Sequence, residues 1–252
     1  MGSLREKLFK FYYRIEAILT PGLRNAQFAY FDVLKQRLGP ETQWLDIGCG
    51  RRLFPDWMPH WKEEQSSLRD RLKGIYGLDP DFSSLRDNRF VRFPVSGDSS
   101  ILPFANASFD LLTANMVVEH VAKPEALLAE ALRVLKPNGV FVFHTPNTLS
   151  YATLLARLVP EGLKTPLVGF FEGRKEEDVF PALYRLNTPA KIEQLSREAG
   201  LCLAELLRVE SSAQTVMLGP LVILELSWIR LLRLSMLRNF RSNLIVILQK
   251  PA

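Results

Sequence analysis

The segment Trp44-Leu45-Asp46-Ile47-Gly48-Cys49-Gly50 constrains this chain more than any other: a short apolar run ends in a carboxylate and turns at once through two glycines. Glycine reaches positive φ without strain and carries no Cβ, so a Gly-x-Gly after a buried strand lets backbone approach a ligand. The acid narrows which ligand. A loop that cradles a pyrophosphate at a helix N-terminus would set this carboxylate against the ligand's own negative charge. Asp46 therefore favours a ligand with a cationic portion. Leu53 stands where a Gly-x-Gly-x-x-Gly fingerprint needs its third glycine, which argues against a nicotinamide dinucleotide. A lone Gly-x-Gly is also what an ordinary turn looks like, so its weight comes from what lies downstream.

Downstream, the pattern repeats. Ile75-Tyr76-Gly77-Leu78-Asp79 reads as a second buried strand, and Asp79 at its C-terminal edge can accept two hydrogen bonds from a ribose diol. A third strand is expected around Val91 to Val95, followed by Gly97-Asp98-Ser99-Ser100, where Asp98 can accept from an adenine amine. Ser108 to Asn115 supplies a fourth strand. Glu119-His120 follows, then a helix opened by Pro124 at a first-turn position. Leu135-Lys136-Pro137-Asn138-Gly139 is expected to close that helix in a turn before the apolar strand Val140 to Phe143. Thr188, Pro189 and Gly200 mark the cap, first turn and end of a further helix, and Leu201–Val209 and Asn243–Leu248 read as the last two strands.

This series resembles the class I S-adenosylmethionine-dependent methyltransferases, in particular the group that includes quinone and other small-molecule methyltransferases. The resemblance rests on Leu45-Asp46-Ile47-Gly48-Cys49-Gly50, Gly77-Leu78-Asp79, Gly97-Asp98 with Leu102-Pro103-Phe104, Ser108-Phe109-Asp110, Glu119-His120-Val121 and Leu135-Lys136-Pro137-Asn138-Gly139. It implies an α/β fold: a Rossmann-like, doubly wound sheet of seven strands with an antiparallel last strand, plus a helical cap and insertions. It implies S-adenosyl-L-methionine as cofactor, with Asp46, Gly48, Cys49 and Gly50 along its methionine part. Asp79 and Pro80 would meet the ribose, Asp98 and Ser99 the adenine, and Asn115 and Met116 the sulfonium region. The expected organisation is cap helices in 1–40 and a methyltransferase domain in 41–252, with insertions at 51–73, 147–186 and 211–240.

Two departures from the family pattern stand out. Arg51 and Arg52 occupy the place where a third glycine is usual, and either guanidinium can fork onto a carboxylate or phosphate or simply be solvated. The following insertion carries Pro55, Trp57, Pro59, His60 and Trp61, an aromatic group that either roofs the cofactor or closes its own loop. The insertion after the fifth strand holds Gly169-Phe170-Phe171-Glu172-Gly173, a charged stretch at Arg174–Asp178, and Tyr184-Arg185. Arg52, Tyr184 and Arg185 are the candidate acceptor contacts.

Methyl transfer from a sulfonium is an in-line displacement, so alignment contributes most and a base serves only some acceptors. His120 is the first candidate base and His144 the second; each can instead be a histidine hydrogen-bonded at the sheet edge. The segment after Ala114 reads Asn115-Met116-Val117-Val118 and lacks the Asn-Pro-Pro-Tyr-like arrangement that binds amino nitrogens in related enzymes, which favours oxygen or carbon as the acceptor atom. The expected function is transfer to a small-molecule or lipid-like acceptor, most simply at oxygen. The alternative is a non-catalytic binding or partner protein on the same fold.

Composition bounds the remaining classes. The two cysteines give neither a disulfide framework nor metal-ligand spacing, so no metal is expected and a cytoplasmic setting is the default. A formal charge of +5 spread along 252 residues gives little support to nucleic-acid binding. Two segments raise a peripheral membrane contact. Residues 4–19 pattern as a basic amphipathic helix stopped by Pro21-Gly22, a shape that also serves as a pocket cap. Residues 218–237 are almost wholly apolar, but Glu225, Arg230 and Arg233 argue against a spanning helix.

Overall fold

The computed structural model describes residues 4–54, 58, 61–158 and 181–252. The aromatic group at Pro55, Trp57, Pro59 and His60 and the insertion stretch 169–178 lie outside the described residues. Strands β1 (Gln43–Ile47), β2 (Gly74–Asp79), β3 (Phe93–Ser96), β4 (Phe109–Asn115), β5 (Leu135–Pro146), β6 (Cys202–Val209) and β7 (Asn243–Gln249) form one sheet in the order β3-β2-β1-β4-β5-β7-β6. Among them run α1 (Leu4–Leu19), α2 (Ala26–Lys35), α3 (Trp61–Arg71), α4 (Phe82–Asp87), α5 (Pro124–Val134), α6 (Tyr151–Leu158), α7 (Pro189–Glu198) and α8 (Val222–Leu231).

Strands β3 to β5 pair in parallel, with Leu45 opposite Tyr76 and Leu112, and Asp46 opposite Gly77 and Thr113. The central residues of β1, β2, β4 and β5 are covered on both faces: Trp44, Leu45, Ile75, Leu111, Leu112, Phe141, Val142 and Phe143 are all buried, while β3 is largely exposed. That two-sided burial is why these strands read as continuous apolar runs instead of alternating ones. The last strand runs the other way. Lys250 N–H donates to Gly139 O at 2.9 Å while Asn147 N–H donates to Ser242 O at 2.8 Å, so residue numbers rise along β5 as they fall along β7. The seven-stranded, doubly wound sheet with an antiparallel last strand is therefore as the sequence led us to expect.

The chain leaves β1 toward β2 and β3, then returns to β4 on the other side of β1. This reversal makes the carboxyl ends of β1 and β4 the switch point where such sheets bind ligands. Caps follow the sequence closely at α7. Thr188 Oγ1 accepts from Lys191 N–H at 3.2 Å, Pro189 takes the first turn, and Gly200 ends the helix at φ 85°.

One local expectation fails. Leu135–Gly139 is not a turn ahead of the strand but lies within β5: Leu135 pairs with Phe109, the register then shifts, and pairing with β4 resumes at Val140 opposite Leu111. Asn138 absorbs the irregularity at φ 65°, a value asparagine tolerates. Asn138 N–H donates to Lys250 O and Lys250 N–H donates to Gly139 O, and these bonds hold a segment whose Pro-Asn-Gly composition reads locally as a turn.

Two compact units make up the chain. One comprises residues 1–30, 146–182 and 208–244; the other comprises 31–145, 183–207 and 245–252 and holds most of the sheet and every residue discussed in the next subsection.

Candidate active site

β1 delivers its carboxylate through a relay that its own register sets up. Trp44 and Asp46 are two apart on the strand and share a face, and Thr113 of β4 lies opposite Asp46. The Trp44 indole N–H donates to Thr113 Oγ1 at 2.7 Å, so the Thr113 proton is directed onto Asp46 Oδ1 at 2.5 Å. Asp46 is buried, and Thr113 is its hydrogen-bond donor within the chain; no cation pairs with it among the described residues. Burial, followed by the nearby charge of Asp79, pushes its pKa up to about 7, against the pull of the Thr113 hydroxyl.

That shift has a sign. The folded pKa lies above the ordinary 3.8, so the carboxylic acid favours folding fully below that value, and the advantage is lost as pH rises through about 7. Asp46→Asn should therefore raise the melting temperature of the ligand-free protein at pH 8 by an amount worth at least about 1 kcal/mol, and much less at pH 5. Thermal melts at the two pH values check this; an equal or lower melting temperature for the variant at pH 8 would refute it.

The glycine turn is held from three sides. Gly48 N–H donates to Leu78 O at 2.7 Å, and Gly50 N–H donates to Asp79 Oδ2 at 2.8 Å. Asp79 Oδ1 also accepts from Asp81 N–H at 2.9 Å, so this carboxylate shapes the turn. From behind, Asn88 Nδ2 donates to Cys49 O and Gly50 O at 3.2 and 2.9 Å, while its Oδ1 accepts from Phe90 and Val91 N–H. Asn88 has no place in the sequence reading; its only local signal is an Asn just past a short helix, a common turn position. Cys49 is buried, and burial first, then the charges of Asp46 and Asp79, hold its thiol well above the usual value; it packs with Leu85 and Val91. It is an apolar wall of the turn, not a nucleophile.

Gly48 (φ 67°) and Gly50 (φ 51°) differ in what a side chain would meet. A Cβ on Gly48 would lie 2.4 Å from Val117 Cγ2, whereas one on Gly50 would point into space clear to 4 Å. Of the two arginines that follow, Arg52 is exposed, while Arg51 has a buried Nε with no hydrogen-bond partner among the described residues. Asp98 is exposed after β3, its carboxyl lowered first by the Ser100 hydroxyl and then by the Ser100 amide, which donates to it at 2.7 Å. Pro80 is exposed and Ser99 half-buried beside these acids.

The ends of β4 and β5 carry the remaining candidates. Asn115 pairs with His144 in the sheet, His144 Nδ1 lies 2.9 Å from Asn115 Oδ1, and Met116 follows at φ 57° with its N–H bonded to His144 O. His144 is buried. His120 sits on the 3-10 turn Val118–His120 with about a third of its side chain exposed and its Nε2 3.9 Å from Glu119 Oε1. Glu119 is itself buried. Thr145 Oγ1 donates to Glu119 Oε2 at 3.0 Å and accepts from Asn187 Nδ2 at 2.6 Å.

These bonds bring the end of the insertion to the turn. Leu183 and Tyr184 N–H both donate to Glu119 O, with Tyr184 at φ 52°, and Arg185 Nη1 donates to Ala122 O at 2.6 Å. Tyr184 is thus set beside Glu119-His120, whereas the Arg185 guanidinium is engaged with backbone. Glu119, Thr145 and Asn187 as an anchoring set escaped the sequence, because their partners lie 26 and 42 residues apart. Among the described residues no cluster of acids, histidines and cysteines could hold a metal.

The residues fit an S-adenosylmethionine-type ligand on two counts. Among the described residues, a buried carboxylate without a cation suits an ammonium group, and a buried guanidinium nitrogen without a hydrogen-bond partner beside the same turn suits a carboxylate.

Comparison with known proteins agrees. Residues 22–205 match the methyltransferase domain family. A demethylmenaquinone methyltransferase of Mycobacterium sp. (strain KMS) is 38% identical over 132 residues, covering 50% of this chain and 52% of its own. A malonyl-[acyl-carrier protein] O-methyltransferase of Hahella chejuensis is 31% identical over 104 residues, 40% of this chain and 35% of its own. The chain thus spans between a third and about half of these relatives. A solved S-adenosylmethionine-dependent methyltransferase of Methanosarcina mazei shares the fold with a TM-score of 0.55 at 18% identity, over 87% of this chain and 97% of that one. The sheet, the glycine turn with its acids, and a match over most of its length place this chain in the class I S-adenosylmethionine-dependent methyltransferase family.

Proposed function

We propose that this protein transfers the methyl group of S-adenosylmethionine to the oxygen of a small-molecule or lipid-like acceptor. The observation that carries the reading is Asp46: a buried carboxylate beside an open glycine turn, with no cation paired to it among the described residues. Its natural partner is the ligand's ammonium. Arg51 takes the ligand carboxylate, Asp79 the ribose hydroxyls and Asp98, with Ser99, the adenine edge. When bound, the cofactor supplies an electrophilic methyl on a cationic sulfur.

The chain's own contribution is alignment and proton removal. Asn115, held by His144, and Met116, fixed at positive φ, shape the end of β4 where the reacting groups meet. His120, partly exposed beside Glu119, takes the acceptor proton; His144, buried, serves mainly to hold Asn115. Tyr184, held beside Glu119-His120, borders that point, and Arg52, exposed after the glycine turn, and Arg185 would meet the acceptor. Relatives named for malonyl-acyl-carrier-protein O-methylation and for demethylmenaquinone support an acyl or quinone-like acceptor, and the former supports oxygen.

Two measurements test the reading. S-adenosylhomocysteine should raise the melting temperature while nicotinamide dinucleotides leave it unchanged, because only a ligand of the native state stabilises it. Its affinity should also rise about tenfold between pH 6 and 8 as Asp46 ionises, and Asp46→Asn should flatten that slope. Protection by the dinucleotide alone, or a slope unchanged in the variant, would remove the assignment.

A further inference from the structure

We infer that the unit formed by residues 1–30, 146–182 and 208–244 docks on an anionic phospholipid surface through the outward side of α8 and the turn that follows it. This inference is independent of the methyl-transfer reading.

Charge is divided unevenly between the two units. This one holds 14 Lys and Arg against 9 Asp and Glu, and the other holds 18 against 18, so the whole excess of +5 belongs here. Among its described residues the acids are only Glu6, Glu16, Glu210 and Glu225, against 11 basic residues. Three of the four face inward or are spent. Glu225 is buried and accepts from Gln214 N–H, Thr215 N–H, Thr215 Oγ1 and Tyr151 OH. Glu210 is largely buried, accepting from Ser211 and Ser242 N–H, and Glu16 accepts from Tyr12 OH. The one charge that speaks most plainly against lipid in the sequence, Glu225, is therefore an internal staple.

The apolar residues do the opposite. α8 buries Val222, Leu226 and Ile229 against Tyr12 of α1. Its other side is equally apolar. Leu221, Leu224, Trp228 and Leu231, at helical spacing, are 54%, 70%, 37% and 48% exposed, and the stripe continues into Leu234, Met236 (82%) and Phe240. A contiguous apolar face of this kind marks an interaction surface.

Guanidinium groups border it. Arg230, Arg233 and Arg238 are exposed in the same segment. Arg241 is engaged with the Leu232, Arg233 and Arg208 carbonyls. Arg230, Arg233 and Arg238 thus put positive charge in the same segment as the most exposed apolar residues. Headgroup phosphates answer the charge and acyl chains the stripe. No helix among the described residues is long and apolar enough to cross a membrane, so the contact is with one leaflet.

The test is co-sedimentation of the full chain with phosphatidylcholine vesicles and with vesicles also containing phosphatidylglycerol. The wild type should pellet with the anionic vesicles only, and less at high salt. Leu224→Glu/Met236→Glu and, separately, Arg230→Glu/Arg238→Glu should each cut partitioning at least about tenfold. Melting curves show whether the variants remain folded; all four positions are exposed. Wild type that stays in the supernatant, or variants that pellet equally, would overturn the proposal. So would a wild-type dimer in sedimentation equilibrium that Leu224→Glu/Met236→Glu converts to monomer without vesicle binding, since the stripe would then belong to a second copy.

Discussion

Asp79→Ala should weaken S-adenosylhomocysteine binding by about 1.5–3 kcal/mol, on the order of tenfold to a hundredfold, in isothermal calorimetry. Two losses combine in this variant. The ribose hydroxyls lose an ionised acceptor, and the glycine turn loses the tie from Gly50 N–H to Asp79 Oδ2 and the neighbouring one from Asp81 N–H. Asn88→Ala separates the two, because it removes the support behind Cys49 O and Gly50 O without touching a ligand group. If Asn88→Ala cost as much affinity as Asp79→Ala, the role of Asp79 would be confined to shaping the turn. Undiminished affinity in Asp79→Ala would count against the cofactor site itself.

Gly48→Ala should destabilise the fold by about 2–4 kcal/mol, the sum of a positive-φ penalty near 1 kcal/mol and the cost of overpacking. The new Cβ would sit 2.4 Å from Val117 Cγ2 and 2.9 Å from Cγ1, at φ 67°. Val117→Ala removes those two methyl groups and should restore part of the loss in urea melts, leaving the backbone penalty in place. Gly50→Ala has the same φ problem but no such clash, so it should cost folding less and act mainly on the ligand. Equal stability losses at Gly48 and Gly50 would show that packing against Val117 is not what sets the cost.

How much of this was legible in the sequence follows from how local each feature is. The Asp46-Gly48-Gly50 turn, the acid at Asp79 and the Thr188–Gly200 helix depend on residues close in sequence, and each lies where its local signals put it. Leu135–Gly139 failed for the opposite reason: its composition favours a turn, but pairing of Leu135 with Phe109 and hydrogen bonds of Asn138 and Gly139 with Lys250 draw it into the strand. Arg51 and Arg52 are equivalent on paper; packing buries the Nε of one and leaves the other exposed. His120 and His144 likewise differ only once one falls on a half-exposed turn and the other inside the sheet.

The sequence by itself determined the order of strands, the acids at their ends and the ligand chemistry those acids suit, because strand period, glycine freedom and carboxylate charge are properties of neighbouring residues. Only the tertiary structure decided which groups act together. The Trp44–Thr113–Asp46 relay, the Asn88 support and the Glu119–Thr145–Asn187 anchor join residues 26 to 69 positions apart. The inward turn of Glu225, which leaves an apolar and basic outer side on α8, likewise depends on donors from other segments. Such pairs exist only where strand register and helix packing have already placed them, and burial then sets their charge.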